Sequence, residues 1–117
     1  MFKVSLKCVA STFDTQNYKQ FWVSDGTKSF YSPLNYALQS NDGNLKLAAA
    51  KFLGQKLGLE WQTLKPSFCG IAKVEDEIEI IFYTKLPPDF NPPEKYELIT
   101  GLGAKESEYV RKVEVFI

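Results

Sequence analysis

Histidine is absent from this 117-residue chain, and cysteine occurs only twice. Without an imidazole, the chain has no Ser-His or Cys-His nucleophile pair and no histidine-containing zinc site. Cys8 and Cys69 lie far apart and form no CxxC motif, so they do not frame a metal site by themselves. We therefore expect no cofactor, and we expect the reduced thiols of a cytoplasmic protein.

Net charge is also missing, because 14 basic residues balance 14 acidic ones. A neutral chain has no global field to hold a phosphate backbone, so general binding to DNA or RNA is disfavoured. No run approaches the roughly 20 apolar residues of a membrane helix. The start, Phe2 to Lys7, carries charge where a signal peptide is apolar. We expect neither a membrane span nor a signal peptide.

Apolar and aromatic residues are plentiful, at 44% and 15% of the chain. This supply suits one hydrophobic core, so residues 1–117 are predicted to form a single domain. Large rings exceed what a core of this size needs. We expect some of them to line a groove or an interface, the alternative being ordinary core packing. The candidates are Trp22, Phe30, Tyr31, Trp61, Phe90 and Tyr96.

Alternation of apolar and polar residues predicts several strands. Phe2 to Ala10 has one apolar face that includes Cys8, and Glu77 to Lys85 is the strongest strand pattern in the chain. Tyr18 to Val23 is a further strand, followed by a turn at residues 24–27. Tyr109 to Ile117 is predicted as a final strand, whose free edge another subunit could pair.

The remaining segments are shorter. Phe30 to Gln39 is a connection with Pro33 in a first helical turn, and Glu60 to Ala72 is a strand interrupted at Pro66. Residues 87–93 form a rigid proline-rich loop, followed by a short helix over residues 94–100 and a turn over residues 101–103. This order of elements predicts an α+β fold.

One helix, Asn44 to Leu57, dominates the pattern. Its apolar residues recur at steps of three and four, which is typical of a helix packed on a sheet. Asn41 or Asp42 is suited to cap its start, and Gly58 to end it in the left-handed conformation. We expect it to pack between a mixed sheet that contains both strongest strands and a second helix or smaller set of strands.

The segment around this helix, ALQSNDGNLKLAAAKFLGQKLGL from Ala37 to Leu59, has the length and ending of a Nudix box. Leu53, Gly58 and Leu59 match its closing aliphatic, glycine and aliphatic positions. The chain therefore resembles the Nudix hydrolase family, and the resemblance implies an α/β/α sandwich around a mixed sheet. The departures are Ala37 at the opening glycine, Gly43, Phe52, Gln55 and Lys56 at the glutamates, and Lys51 at the arginine.

These departures bear on catalysis, because Nudix enzymes use the glutamates to hold Mg²⁺ or Mn²⁺ against a diphosphate. The resemblance therefore implies a non-catalytic domain with a structural or protein-binding role. The excess of rings and the free edge of the last predicted strand favour a protein partner or self-association as a dimer, and a small, neutral chain of this kind suits an origin in a phage or other mobile element. The alternative is a divergent nucleoside diphosphate hydrolase or nucleotide-binding protein whose metal ligands have moved to Glu60, Glu94 or Glu97.

Overall fold

A computed structural model describes residues 3–25 and 31–116, apart from the side chain of Leu102. The parts of the predictions that concern residues 2, 26, 27, 30 and 117 lie outside these ranges, and Phe30 is among them. The strands are β1 (Lys3–Asp14), β2 (Lys19–Asp25), β3 (Leu34–Ala37), β4 (Ser67–Val74), β5 (Glu77–Lys85) and β6 (Tyr96–Thr100). The helices are α1 (Leu45–Leu57), a 3-10 turn (Trp61–Thr63), α2 (Gly101–Ala104) and α3 (Glu108–Phe116).

The described strands form one mixed sheet in the order β4-β5-β1-β2-β6. β1 runs parallel to β5, from Lys3 opposite Glu77 to Ser11 opposite Lys85, and all other pairs are antiparallel. On its other side β1 pairs with β3 along its first half and with β2 along its second half. β1 is therefore the central strand, and this explains its length and its burial on both faces.

Each face of the sheet carries its own core. On one face, alternate residues of β1 such as Leu6 and Cys8 meet α1; this is the α1-side core. On the other face Val9 and Ile81 meet α3; this is the α3-side core. Helices thus cover both faces of a mixed sheet, which is the predicted α/β/α arrangement. Burial also raises the pKa of the Cys8 thiol to about 12, so this cysteine behaves as a small apolar side chain.

The predictions for the strongest elements are confirmed. β5 has the predicted bounds, β1 extends the predicted strand to Asp14, and α1 begins one residue after the predicted start. α1 packs on the sheet that contains β1 and β5 as predicted, but the second helix, α3, packs on the opposite face, so α1 does not lie between the sheet and that helix. In the described part of the chain, no helix is long and apolar enough to cross a membrane.

Two predictions near the carboxyl end are wrong. The segment predicted as a short helix over residues 94–100 contains β6, because its backbone pairs with β2 along the open edge of the sheet. The segment predicted as a final strand is α3 instead. Val110 and Val113, three residues apart, are its buried residues, whereas Val115 is 89% exposed. Val113 and Val115 alternate as in a strand, but Val110 and Val113 have the three-residue spacing of a helix, and that spacing is the one the structure uses.

Three shorter predictions are also corrected. Residues 34–37 form β3 rather than a helical connection, since β1 offers a free backbone edge there. The predicted strand from Glu60 begins only after Pro66, and the 3-10 turn precedes it. The predicted turn over residues 101–103 is the first part of the four-residue helix α2.

Candidate functional site

The ends of α1 are built by local side-chain chemistry. The side chain of Asn44 caps the start, where its oxygen accepts a hydrogen bond of 3.0 Å from the backbone N–H of Leu47, so the prediction of Asn41 or Asp42 as the cap is wrong. Gly58 ends the helix at φ 71°, and its N–H donates to the carbonyl of Gly54. A positive φ suits glycine because no Cβ opposes it. The glycine at the end of the box-like segment therefore serves to stop the helix.

Phe52 stands at the second of the four glutamate positions of the box, after Gly43, and points into a packed environment. Its ring lies 5.1 Å from the ring of Tyr36 on β3, and it packs against the α1-side core. The Tyr36 hydroxyl donates to Asp42 at 2.7 Å, and the N–H of Gln39 donates to the same carboxylate oxygen. The hydrogen bond to Asp42 raises the pKa of Tyr36. An aromatic contact thus occupies the place of a metal-binding acid.

The other substituted box positions have different surroundings. Lys51 places its ammonium 5.2 Å from the centre of the Trp61 ring, a cation–π contact. Gln55 and Lys56 are exposed on the outer side of α1, and Gly43 is exposed before the helix. The substituted positions therefore supply one ring, one ring-bound cation, one amide and one free ammonium, a set with little affinity for Mg²⁺.

Gly54, in the middle of α1, allows the chain after the helix to return closely. A Cβ at this position would lie 2.8 Å from the carbonyl oxygen of Leu59 and 3.1 Å from the backbone N of Trp61. Both are backbone atoms, so neither can rotate away. The glycine therefore fixes where Trp61 sits relative to Lys51.

Gly54→Ala is expected to lower the free energy of unfolding by about 1–2 kcal/mol, although alanine is the better helix former by about 1 kcal/mol. The overlap with backbone atoms outweighs the gain in helix propensity. Urea unfolding measures the change, and Gly43→Ala, where a Cβ meets nothing within 4 Å, is the control. A stabilised Gly54→Ala protein would contradict the close approach.

The acids proposed as relocated metal ligands do not converge. Within residues 3–25 and 31–116, no three His, Cys, Asp or Glu side chains are placed to hold one metal ion. Glu60 begins the 3-10 turn, Glu94 lies in the loop before β6, and Glu97 lies on β6. All three are exposed.

A cleft of about 460 Å³ lies on the α1 side of the sheet, at the carboxyl end of β1. Phe21, Phe90 and Leu98 give it apolar walls, and acids and amides stand at its rim. Its lining comes from two distant stretches of the chain, residues 12–21 and 89–98, so no single sequence motif marks the cleft. The full lining is Thr12, Asp14, Gln16, Phe21, Asp89, Phe90, Asn91 and Leu98.

The rim acids of this cleft already order two loops. Asp89 accepts hydrogen bonds from the backbone N–H and the hydroxyl of Thr15, at 2.9 and 2.6 Å. Asp14 accepts from Asn17 and Gln16, and the side-chain hydrogen bond from Asn17 is the main reason why the pKa of Asp14 is lowered. Two carboxylates at the mouth repel a diphosphate that arrives without a cation.

The rings expected at a contact surface divide into two groups. Trp22 and Tyr31 belong to the α3-side core and Tyr96 to the α1-side core, with exposures of 2%, 5% and 7%. All three side chains are buried in the cores on either face of the sheet, so the prediction that they line a groove or an interface is wrong. Trp61 is 36% exposed beside Lys51, and Phe90 lines the cleft. Sequence reasoning missed the exposed apolar residues of β4.

Comparison with known proteins identifies the fold. No protein-family model matches the sequence, and neither does any curated protein. Among solved structures, the C-terminal domain of mouse MUTYH, in a complex with human PCNA, is similar with a TM-score of 0.68 and 12% identity. The similarity covers 99% of this chain and 90% of that one.

Two further structures are similar over nearly their whole length. A C. elegans Ap4A hydrolase has a TM-score of 0.65 and 11% identity, over 99% of this chain and 98% of that one. A mutT/nudix family protein from Listeria innocua has a TM-score of 0.64 and 11% identity, over 97% and 92%. The chain has a Nudix-like fold, as the resemblance around α1 implied.

Proposed function

We propose that this Nudix-like chain is a non-catalytic module that acts by binding protein, including a second copy of itself. The observation that carries the proposal is the Phe52 ring, packed on Tyr36 where a Nudix box has a glutamate. A half-buried ring offers no oxygen to a hard cation. Lys56, at another glutamate position, would repel the cation.

The character of the cleft supports the same proposal. Its rim carries Asp14 and Asp89, which disfavour a bare diphosphate, while apolar residues are exposed elsewhere on the surface. The mouse MUTYH domain of similar fold was crystallised in a complex with PCNA, so a protein of this fold can form protein contacts. A structural or assembly role therefore fits this chain better than diphosphate hydrolysis.

The first test is enzymatic. Purified protein is incubated with ADP-ribose, diadenosine polyphosphates or nucleoside triphosphates, in Mg²⁺ or Mn²⁺, and product is measured against a protein-free blank. We expect no turnover above the blank, because Gly43, Phe52, Gln55 and Lys56 replace the box acids.

Metal-dependent turnover that is lost in Glu60→Gln, Glu94→Gln or Glu97→Gln would overturn the proposal in favour of a hydrolase with relocated ligands.

The nucleotide-binding alternative is tested by thermal unfolding. It requires that ADP raise the Tm of the protein, whereas the non-catalytic interaction module shows no shift.

A further inference from the structure

The outer strand β4 combines an open backbone edge with exposed apolar side chains. β4 is the last strand in the order of the sheet, so the edge away from β5 has no neighbour among the described strands. Phe68, Ile71 and Val74 on this strand are 43%, 61% and 51% exposed. An edge of this kind is a template for pairing with another strand.

Two of these side chains extend the α1-side core beyond the reach of α1. Phe68 stands opposite Phe82 of β5, and their rings meet edge to face at 6.1 Å. Ile71 stands opposite Ile80. Because Phe82 and Ile80 belong to the α1-side core, Phe68 and Ile71 form an apolar strip on that face at the rim of the sheet.

On the opposite face, α3 contacts β4 and Cys69 packs against the α3-side core, so that much of this face is covered although Val74 stays exposed. A partner is therefore needed only along the edge and over the α1-side strip. This edge is eight residues long, roughly 27 Å at about 3.4 Å per residue, which matches another extended strand in length.

Charge at the two ends of β4 selects the partner and its direction. Lys65 precedes the strand, Lys73 lies on it close to its end, and Glu75 and Asp76 follow it. Antiparallel pairing of two copies brings Lys65 of each near the acidic end of the other. Parallel pairing would instead place like charges together, which is unfavourable. The strand is thus complementary to itself in the antiparallel direction.

We infer that two copies of this chain form a symmetric dimer by antiparallel pairing of β4 near Gly70 and Ile71, with their Phe68 and Ile71 strips merged on the α1 side. The inference deepens the proposed protein-binding role by naming the partner, and it holds whether or not the chain hydrolyses a nucleotide. Because the same edge is used by both copies, pairing closes at a dimer. The bulge between Phe68 and Gly70 bends β4 locally, which disfavours a continuous stack of many sheets edge to edge.

Sedimentation of the purified chain tests the dimer. The wild type is expected to sediment as a dimer at about 50 µM, a concentration that detects dissociation constants of roughly micromolar strength. Ile71→Lys places two ammonium groups near the two-fold axis and should raise the dissociation constant more than about 10-fold. Val115→Lys, at an exposed position on α3, is the matched control and should remain dimeric.

Charge reversal tests the direction of pairing without touching the apolar strip. Lys65→Glu and Glu75→Lys should each weaken the dimer by about 5-fold, since each symmetric dimer loses two exposed ion pairs. The double variant Lys65→Glu/Glu75→Lys should restore wild-type affinity. A monomeric wild type, an Ile71→Lys protein that dimerises normally, or a double variant without rescue would each overturn the inference, while the nucleotide assays would be unaffected.

Discussion

Phe52→Glu, which restores the acid found in a Nudix box, is expected to destabilise the protein by about 2–4 kcal/mol. The substitution removes the ring contact with Tyr36 and the packing against the α1-side core. It also brings a carboxylate towards the Tyr36 hydroxyl and its hydrogen-bonded partner Asp42, a second negative charge. Restoring the catalytic residue type is therefore opposed by the way this chain packs.

Urea unfolding monitored by far-UV circular dichroism measures this change. Gln55→Glu is the matched control, because it restores another box acid three residues later at an exposed position of the same helix. Its effect should stay within about 0.5 kcal/mol. Equal stability of the two variants would mean that position 52 tolerates a carboxylate, and the main observation behind a non-catalytic role would be lost.

Lys7→Met is expected to cost about 2–4 kcal/mol, because it leaves a buried carboxylate without its cation. Lys7 lies on the α3 side of β1, with its ammonium 3.4 Å from Glu79 and 4.0 Å from Glu77. Glu79 is only 5% exposed and also accepts a 2.8 Å hydrogen bond from the Tyr109 hydroxyl of α3. Without the ammonium, two carboxylates share this face of β5.

Adding Glu79→Gln to Lys7→Met should recover part of the lost stability. The substitution removes the unpaired charge and keeps an oxygen that can accept a hydrogen bond from Tyr109. Thermal unfolding of Lys7→Met, Glu79→Gln and the double variant gives the coupling between the two sites. Lys3→Met, an exposed position on the same strand, controls for the loss of a lysine. A Lys7→Met protein as stable as Lys3→Met would show that Glu79 does not depend on the ion pair.

Local patterns predicted the interior elements of the fold well. β1 and β5 have side chains on two faces, and α1 stops at Gly58 as predicted, whereas its cap is Asn44 and not Asn41 or Asp42. The errors fall on short peripheral elements. β6 and β3 become strands because β2 and β1 offer free backbone edges, and α3 is helical because Val110 and Val113 reach the α3-side core together. Pairing across the sheet decides these elements, and no short window of sequence records it.

The sequence by itself determined which residue types occupy the box positions, and so which chemistry is missing from α1. It also determined the glycine stop of α1 and the two central strands, since glycine and side-chain alternation act over a few residues. Only the tertiary structure decided that Phe52 packs on Tyr36, that Thr12 and Asp89 share a cleft, and that Phe68 and Ile71 remain open at an edge. These features depend on contacts between distant segments, which form only when the sheet brings those segments together.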